Sequence, residues 1–405
     1  MSRLGPFEPA PRLAAAVSGG ADSLALALLA RDWAQDRGGS VLALVVDHGL
    51  RTESAAEAAL TVRRLHAQRI PARLLGLTSL HRGPAMAERA RIARYAALCD
   101  ACRTDGLLHL LLGHHAADQA ETVLIRRQGG SGASGLAAMP ALSEQHDVRL
   151  LRPLLALPPG LLRDFLVAAG VAWVEDPSNQ DLHALRPRLR AGLGDPAGTA
   201  PHTAALIRAA HAAGLARAER ETRVAAALAG RATLSPFGFA ILSPGPIEPA
   251  ALAALMQAVS GAAYPPPSVP VAALAAAPRP ATLAGVRFMP AGRLGTGWLL
   301  VREAAAMAPP VAAAPGIAWD GRFRLSATAL APDDATLGAL GADAVRLRRL
   351  SPLPAAVLQS LPALRYRNLL VAVPHLAYPD KQACAHLTVA FSPRRPAAGA
   401  AFLPA

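Results

Sequence analysis

Two carboxylates stand three residues apart, Asp118 and Glu121, just after the pair His114-His115. If this stretch opens a helix, the two acids share a face. Carboxylates in a first helical turn can simply offset the helix dipole. Beside histidines at the end of a strand, they also suit a divalent cation, or an amine that must lose a proton before it attacks. A second cluster is Ser18-Gly19-Gly20-Ala21-Asp22-Ser23, which follows the apolar run 13–17 and precedes leucines at 24, 26, 28 and 29. This reads as strand, tight turn and helix. Two glycines let the backbone turn sharply and approach a ligand. The helix points free N–H groups and its positive end back at the turn, which suits a phosphate. Ser18, Ser23 and the backbone amides of Gly19, Gly20, Ala21 and Asp22 can all donate to phosphate oxygens. There is no Gly-Lys-Ser/Thr, and Lys381 is the only lysine in the chain, so the Walker loop is excluded. A third cluster, Asp47-His48-Gly49, ends the continuous apolar run 41–46.

The elements that must position these residues follow from the periodicity. Apolar runs at 13–17, 41–46, 72–77 and 107–112 alternate with helical patterns at 22–36, 53–69 and 86–102. Continuous apolar runs suit buried parallel strands. A β-α-β-α order predicts an α/β fold, a parallel sheet with helices on both faces. Ligands in such folds bind at the carboxyl ends of the strands, where all three clusters fall. The stretch 128–139 is rich in glycine and reads either as a linker or as an ordered loop facing a substrate. Arg186, Arg188 and Arg190 crowd into five residues, as a solvated face or a grip on phosphates.

The chain has 405 residues and a net charge of +13, with 52% hydrophobic residues. The length predicts two or three domains. An arginine excess of this size points to a polyanionic partner such as nucleic acid. Three cysteines without a disulfide framework fit a reducing cytosol, hence a cytoplasmic protein. Residues 1–11 lack the apolar core of a signal, and no apolar run reads as a membrane span. Residues 1–195 read as the catalytic domain, 196–232 as a helical linker, and 233–405 as a smaller C-terminal α+β region. The last carries Arg346, Arg348, Arg349, Arg365 and Arg367 and suits the same polyanionic partner; a homodimer stays open.

Ser18 to Ser23 resembles the SGGxDS loop of the PP-loop ATP pyrophosphatases. Within that class several motifs resemble the tRNA(Ile)-lysidine synthases. They are Val45-Val46-Asp47-His48-Gly49-Leu50-Arg51, the stretch His114 to Thr122, Gly130-Ser131-Gly132 with Gly135-Leu136 and Met139, Arg152-Pro153-Leu154-Leu155, and Trp173 to Asn179. They occur in the family's order across roughly the first half of the chain. The chain departs from the family's pattern at Ala117, where Asp118 and Glu121 are nonetheless retained, and at Gly129 and Pro187, which puts local tRNA contacts in question.

The resemblance implies ATP and Mg²⁺ as cofactors, with tRNA(Ile) bearing a CAU anticodon and free L-lysine as substrates. ATP adenylates C2 of the wobble cytidine, pyrophosphate leaves, and the lysine ε-amine displaces AMP. The implied catalytic residues are Asp118, Glu121, His115, Arg94, Arg91 and Asp47. Ser18 to Ser23 would hold ATP, and Asp118 and Asp47 the metal. Arg186, Arg188, Arg190, Arg348 and Arg349 would hold tRNA. One alternative is a PP-loop tRNA cytidine thiolase, because Cys99 and Cys102 form a Cys-x-x-Cys. That reading lacks a nearby third cysteine, since the remaining one is Cys384. Another is an RNA-binding module without catalysis, which only Ala117 favours.

Overall fold

The computed structural model describes residues 1–49, 53–77, 83, 85–145, 147–175, 183–327 and 334–405. Leu50, Arg51 and the stretch 176–179, parts of two motifs above, lie outside the described residues. The chain divides into two compact units, 1–219 with 401–405, and 220–400.

In the first unit the elements are β1 (Arg12–Val17), α1 (Ala21–Gln35), β2 (Ser40–Asp47), α2 (Ser54–Ala67), β3 (Ala72–Gly76), α3 (Met86–Thr104) and β4 (His109–Leu111). They continue as α4 (Ala116–Gln128), α5 (Ala133–Leu136), β5 (Leu142–Glu144), β6 (Arg149–Leu151), α6 (Pro159–Ala168) and α7 (Leu185–Leu193), and α8 (Pro201–Ala229) runs on into the second unit. The sheet order is β3-β2-β1-β4-β6-β5, parallel except for β5. Side chains alternate between its faces, as the two-residue strand period requires. Leu13, Ala15, Val17, Ala43 and Val45 pack with α1 and α6 on one side. Ala14, Leu44, Leu110 and Leu150 pack with Leu98, Ala101 and Cys102 of α3 on the other. The expected α/β architecture with helices on both faces is therefore present. The strand order reverses between β1 and β4, and a crevice opens at such a switch point beyond the strands' carboxyl ends.

The second unit is built from antiparallel sheets. Strands β7 (Ala232–Leu234) and β8 (Ala240–Leu242) are followed by helices α9 (Pro249–Ser260) and α10 (Ser268–Ala276), and then β9 (Ala281–Leu283), β10 (Val286–Pro290) and β11 (Trp298–Arg302). These five strands form one sheet, with Leu252, Leu255 and Met256 of α9 packed on Phe288 and Leu300. The rest comprises β12 (Val311–Ala312), β13 (Ala318–Trp319), β14 (Phe323–Ala327), β15 (Ala335–Ala339), α11 (Ala344–Leu347), α12 (Ala355–Ser360), β16 (Pro362–Tyr366), β17 (Leu369–Ala372) and β18 (Leu387–Phe391). They form a four-stranded and a three-stranded sheet. Buried Asp320 ties the parts of this unit together, pairing with Arg302 at 3.0 Å and Arg322 at 2.7 Å. No described helix is long and apolar enough to cross a membrane.

Candidate active site

The turn after β1 is built as the glycines suggested. Gly19 has φ +88°, and a Cβ there would run into Thr61 Oγ1 of α2. Gly20 caps α1 with no side-chain hydrogen bond, so the first amides of the helix remain free for a ligand. The Ser23 hydroxyl turns inward, donating to the Gly20 carbonyl at 3.0 Å and accepting from the Ser18 amide at 3.1 Å. Ser23 therefore staples the loop, while Ser18 is exposed. Gly113, just after β4, lets that strand's end close on α1: its Cβ would lie 3.2 Å from Ser23 Cα. The Val174 amide donates to the Gly19 carbonyl at 2.9 Å, which brings the segment before residue 176 across the loop.

Gly113-His114-His115 delivers its histidines to the same place. His115 is the N-cap of α4: its amide donates to Asp118 Oδ2 at 3.0 Å, and its Nδ1 accepts from the Asp118 amide at 3.4 Å. Its Nε2 lies 3.5 Å from Asp22 Oδ2 and 3.6 Å from Asp118 Oδ2. Burial disfavours the imidazolium, but the hydrogen bond to Asp22 and the charges of Asp118 and Asp22 outweigh it and raise the pKa. His114 behaves oppositely. Burial first, then the charges of Arg152, Arg91 and Arg186, bring it down to about 4 against the pull of Asp118. So one histidine of the pair is held neutral and its neighbour is poised toward the charged form.

The carboxylate pair of α4 faces α7. Glu121 is fully buried; Arg190 Nε reaches its Oε1 at 2.9 Å and Arg186 Nη1 its Oε2 at 3.4 Å. Asp118 Oδ1 lies 3.8 Å from Arg186 and 3.9 Å from Arg190. Burial raises the pKa of Glu121, opposed by Arg190 and reinforced by Asp118. Arg186 and Arg190 are four residues apart and share a face. Arg188 lies between them on the other side and is exposed. Of the three arginines expected to grip phosphates, two are thus engaged by Asp118 and Glu121. Pro187 sits in the first turn of α7, where a missing N–H costs nothing, so it leaves that face intact.

Arg91 and Arg94 of α3 gather on Tyr95, with guanidinium carbons 5.0 and 5.8 Å from the ring centre. Arg91 also donates to the Tyr95 hydroxyl at 3.4 Å. Arg152, just past β6, is buried and donates to the Pro140 carbonyl at 2.9 Å and Ser143 Oγ at 3.1 Å. Burial lowers its pKa, against a hydrogen bond to Tyr95. Tyr95, Arg152 and the Asp22–His115 pairing were not singled out as site features from sequence. The signal for Arg152 was its place in the motif Arg152-Pro153-Leu154-Leu155, and i,i+4 spacing from Arg91 was the signal for Tyr95.

Asp47 stands apart from this cluster in its bonding. It accepts from the Ser54 hydroxyl at 2.7 Å and the Gly49 amide at 3.0 Å. The Ser54 bond is the main cause of its lowered pKa. Among the described residues no group of three His, Cys, Asp or Glu side chains is arranged to hold a metal. Asp22 Oδ1, by contrast, is buried beside the loop with no hydrogen-bond partner among the described residues. The glycine-rich stretch is ordered. Gln119 exchanges two 2.8 Å bonds with the backbone of Met139, and Arg126 donates to the carbonyls of Gly135 and Ala138. Gly129 ends α4 at φ −81°, a conformation any residue adopts; Gly130, at φ +65°, is the glycine the turn requires.

In the second unit Arg365 turns inward to Asp343 and the carbonyls of Ala339 and Leu340. Arg348 and Arg349 are exposed. Cys99 and Cys102 lie on α3; burial raises both thiols, Cys102 to about 12, and Cys384 belongs to the other unit.

A parallel sheet with a strand–SGG–helix turn at its switch point defines a PP-loop nucleotide-binding protein, and residues 3–196 match the PP-loop domain family. The tRNA(Ile)-lysidine synthase of Ruegeria pomeroyi is 38% identical over 91% of this chain and 89% of its own. That of Caulobacter vibrioides is 36% identical over 89% and 86%. That of a Bradyrhizobium species (strain BTAi1) is 46% identical, over 46% of this chain and 52% of its own. The chain belongs to the tRNA(Ile)-lysidine synthase family.

Proposed function

We propose that this chain uses ATP to ligate lysine to C2 of the wobble cytidine of tRNA(Ile), in the cytoplasm, converting an AUG-reading anticodon into one that reads AUA. The observation that carries the reading is the convergence of the open N-terminus of α1 with the Asp22–His115–Asp118 cluster at one switch point. The C2 oxygen of cytosine attacks the α-phosphorus, and pyrophosphate leaves. The ε-amine then attacks C2, and AMP leaves with the bonding electrons of the C2–O bond.

The loop amides and exposed Ser18 are suited to the leaving pyrophosphate, where charge accumulates as the bond breaks. His115, whose Nε2 faces Asp22, is suited to contact the same phosphate or relay a proton. Asp118 and Glu121 offer the negative charge that a lysine ammonium needs, with Arg186 and Arg190 occupying that role in the free protein. Neutral His114 can accept a proton. Arg91 and Arg94 are suited to the α-phosphate. Asp22 Oδ1 is a hard, unpartnered oxygen and fits Mg²⁺ held mainly by ATP phosphates, where the ion would offset the charge on pyrophosphate. Asp118 Oδ2 accepts from the His115 amide and Asp47 Oδ1 from Ser54 and Gly49, so each has one oxygen already engaged and fits the ion less well.

Arg348 and Arg349 are suited to tRNA phosphates. Half-buried Cys99 and buried Cys102 supply only two thiols, which speaks against thiolation. Adding substrates separately tests the order of steps. With tRNA and ATP alone, pyrophosphate should appear in a single turnover; release that waits for lysine would contradict the scheme.

A further inference from the structure

We propose that residues 401–405 are a clasp that positions the glycine-rich loop, with Phe402 acting through Arg217. The inference rests on reading that loop as substrate-facing. Phe402 is buried in the first unit, and the Arg217 guanidinium of α8 stacks 4.6 Å from its ring centre. The same guanidinium donates to the Ser134 carbonyl at 3.2 Å, in the short helix α5 of the loop. One residue further on, the Leu403 carbonyl accepts from the Ala141 amide at 2.8 Å, just past the loop's end. His211 Nδ1 donates to the Ala405 carbonyl at 3.0 Å.

A glycine inside α8 supports this. Gly214 lies within a 29-residue helix, where glycine is unfavourable. A Cβ there would meet Pro404 Cβ at 2.9 Å and Phe402 Cε1 at 3.0 Å. The helix therefore gives up a side chain where the clasp lies on it. The loop's end is anchored, with Ala138 on Val123 and Ala210 and Met139 in the main core, but the preceding helix α5 buries no residue and needs such support. The carbonyls at its carboxyl end are instead held by Arg126 and Arg217.

The test is amide exchange of residues 131–139 in the full-length protein, together with tRNA kinetics. Phe402→Leu should keep the burial and remove the cation–π interaction; Phe402→Tyr should keep both. Exchange in the loop should quicken about tenfold in Phe402→Leu and in Arg217→Gln, with the β1–β2 core unchanged. KM for tRNA should rise about threefold or more in both, with KM for ATP unmoved, and Phe402→Tyr should keep both readings at the wild-type level. Loop exchange equal to wild type in both variants would overturn the clasp. So would a loosened loop with unaltered tRNA kinetics. The exchange arm needs no substrate, so it reads the clasp even if the protein turns over something other than tRNA(Ile).

Discussion

Arg190 Nε lies 2.9 Å from Glu121 Oε1, and the carboxylate it meets is wholly buried. A guanidinium thus stands where the proposed chemistry calls for a substrate ammonium. Glu121→Gln should lower kcat/KM for lysine by about 10²-fold or more, while pyrophosphate release in the first step persists. Arg190→Met should destabilise the protein by about 1–3 kcal/mol, because it strips a partner from a buried charge. Unchanged lysine kinetics in Glu121→Gln, measured by steady-state turnover, would reduce the pair to helix-end electrostatics.

Gly19 and Thr61 make a second pairing that substitution can separate. Gly19→Ala meets both an unfavourable φ and the Thr61 hydroxyl. It should cost about 1–3 kcal/mol in urea melts and weaken ATP binding. Adding Thr61→Ala removes the clash but not the φ strain, so it should recover only part of the loss. Full recovery would show that the backbone there has no need of glycine.

Acid should find a weak point far from the chemistry. His109 is buried against Phe7, and burial lowers its pKa from 6.5, with Arg149 adding to that and Glu8 opposing it. Between the lowered folded value and 6.5 the unfolded chain binds more protons than the native one. Stability present above pH 6.5 is therefore lost as pH falls through that window. His109→Phe should flatten that part of a stability–pH curve from urea titrations. An identical slope would assign the acid loss to other groups.

Phosphate binding by the second unit should show in salt dependence. Arg348→Gln/Arg349→Gln should weaken tRNA binding and reduce the log–log salt slope by roughly 1 for each phosphate no longer neutralised. Arg365→Gln should instead lower stability, because its guanidinium holds Asp343 and two carbonyls. Equal slopes for wild type and the double variant would remove these residues from the tRNA path.

The sheet and its loops were legible because buried parallel strands leave continuous apolar runs, and a phosphate turn demands glycines at fixed places. Gly19, Gly20, Asp118 and Glu121 announced themselves by type and spacing. The partners of Glu121 did not, because Arg186 and Arg190 arrive from 65 residues or more away and only the fold shows them turned toward α4. Ser23 reads as a phosphate donor in sequence; its bond to the Gly20 carbonyl, set by the turn, makes it a staple. The antiparallel sheets of the second unit were obscure because their strands are short and broken by Pro and Ala, which blurs the two-residue alternation.

The most direct measurement is incorporation of labelled lysine into a tRNA(Ile) transcript with ATP, followed by nucleoside analysis, with Asp22→Asn as the control. The account predicts label in a single modified cytidine from the anticodon, dependent on ATP, and none with the variant. Label absent from the wild-type product, or a sulfur-substituted cytidine in its place, would contradict it.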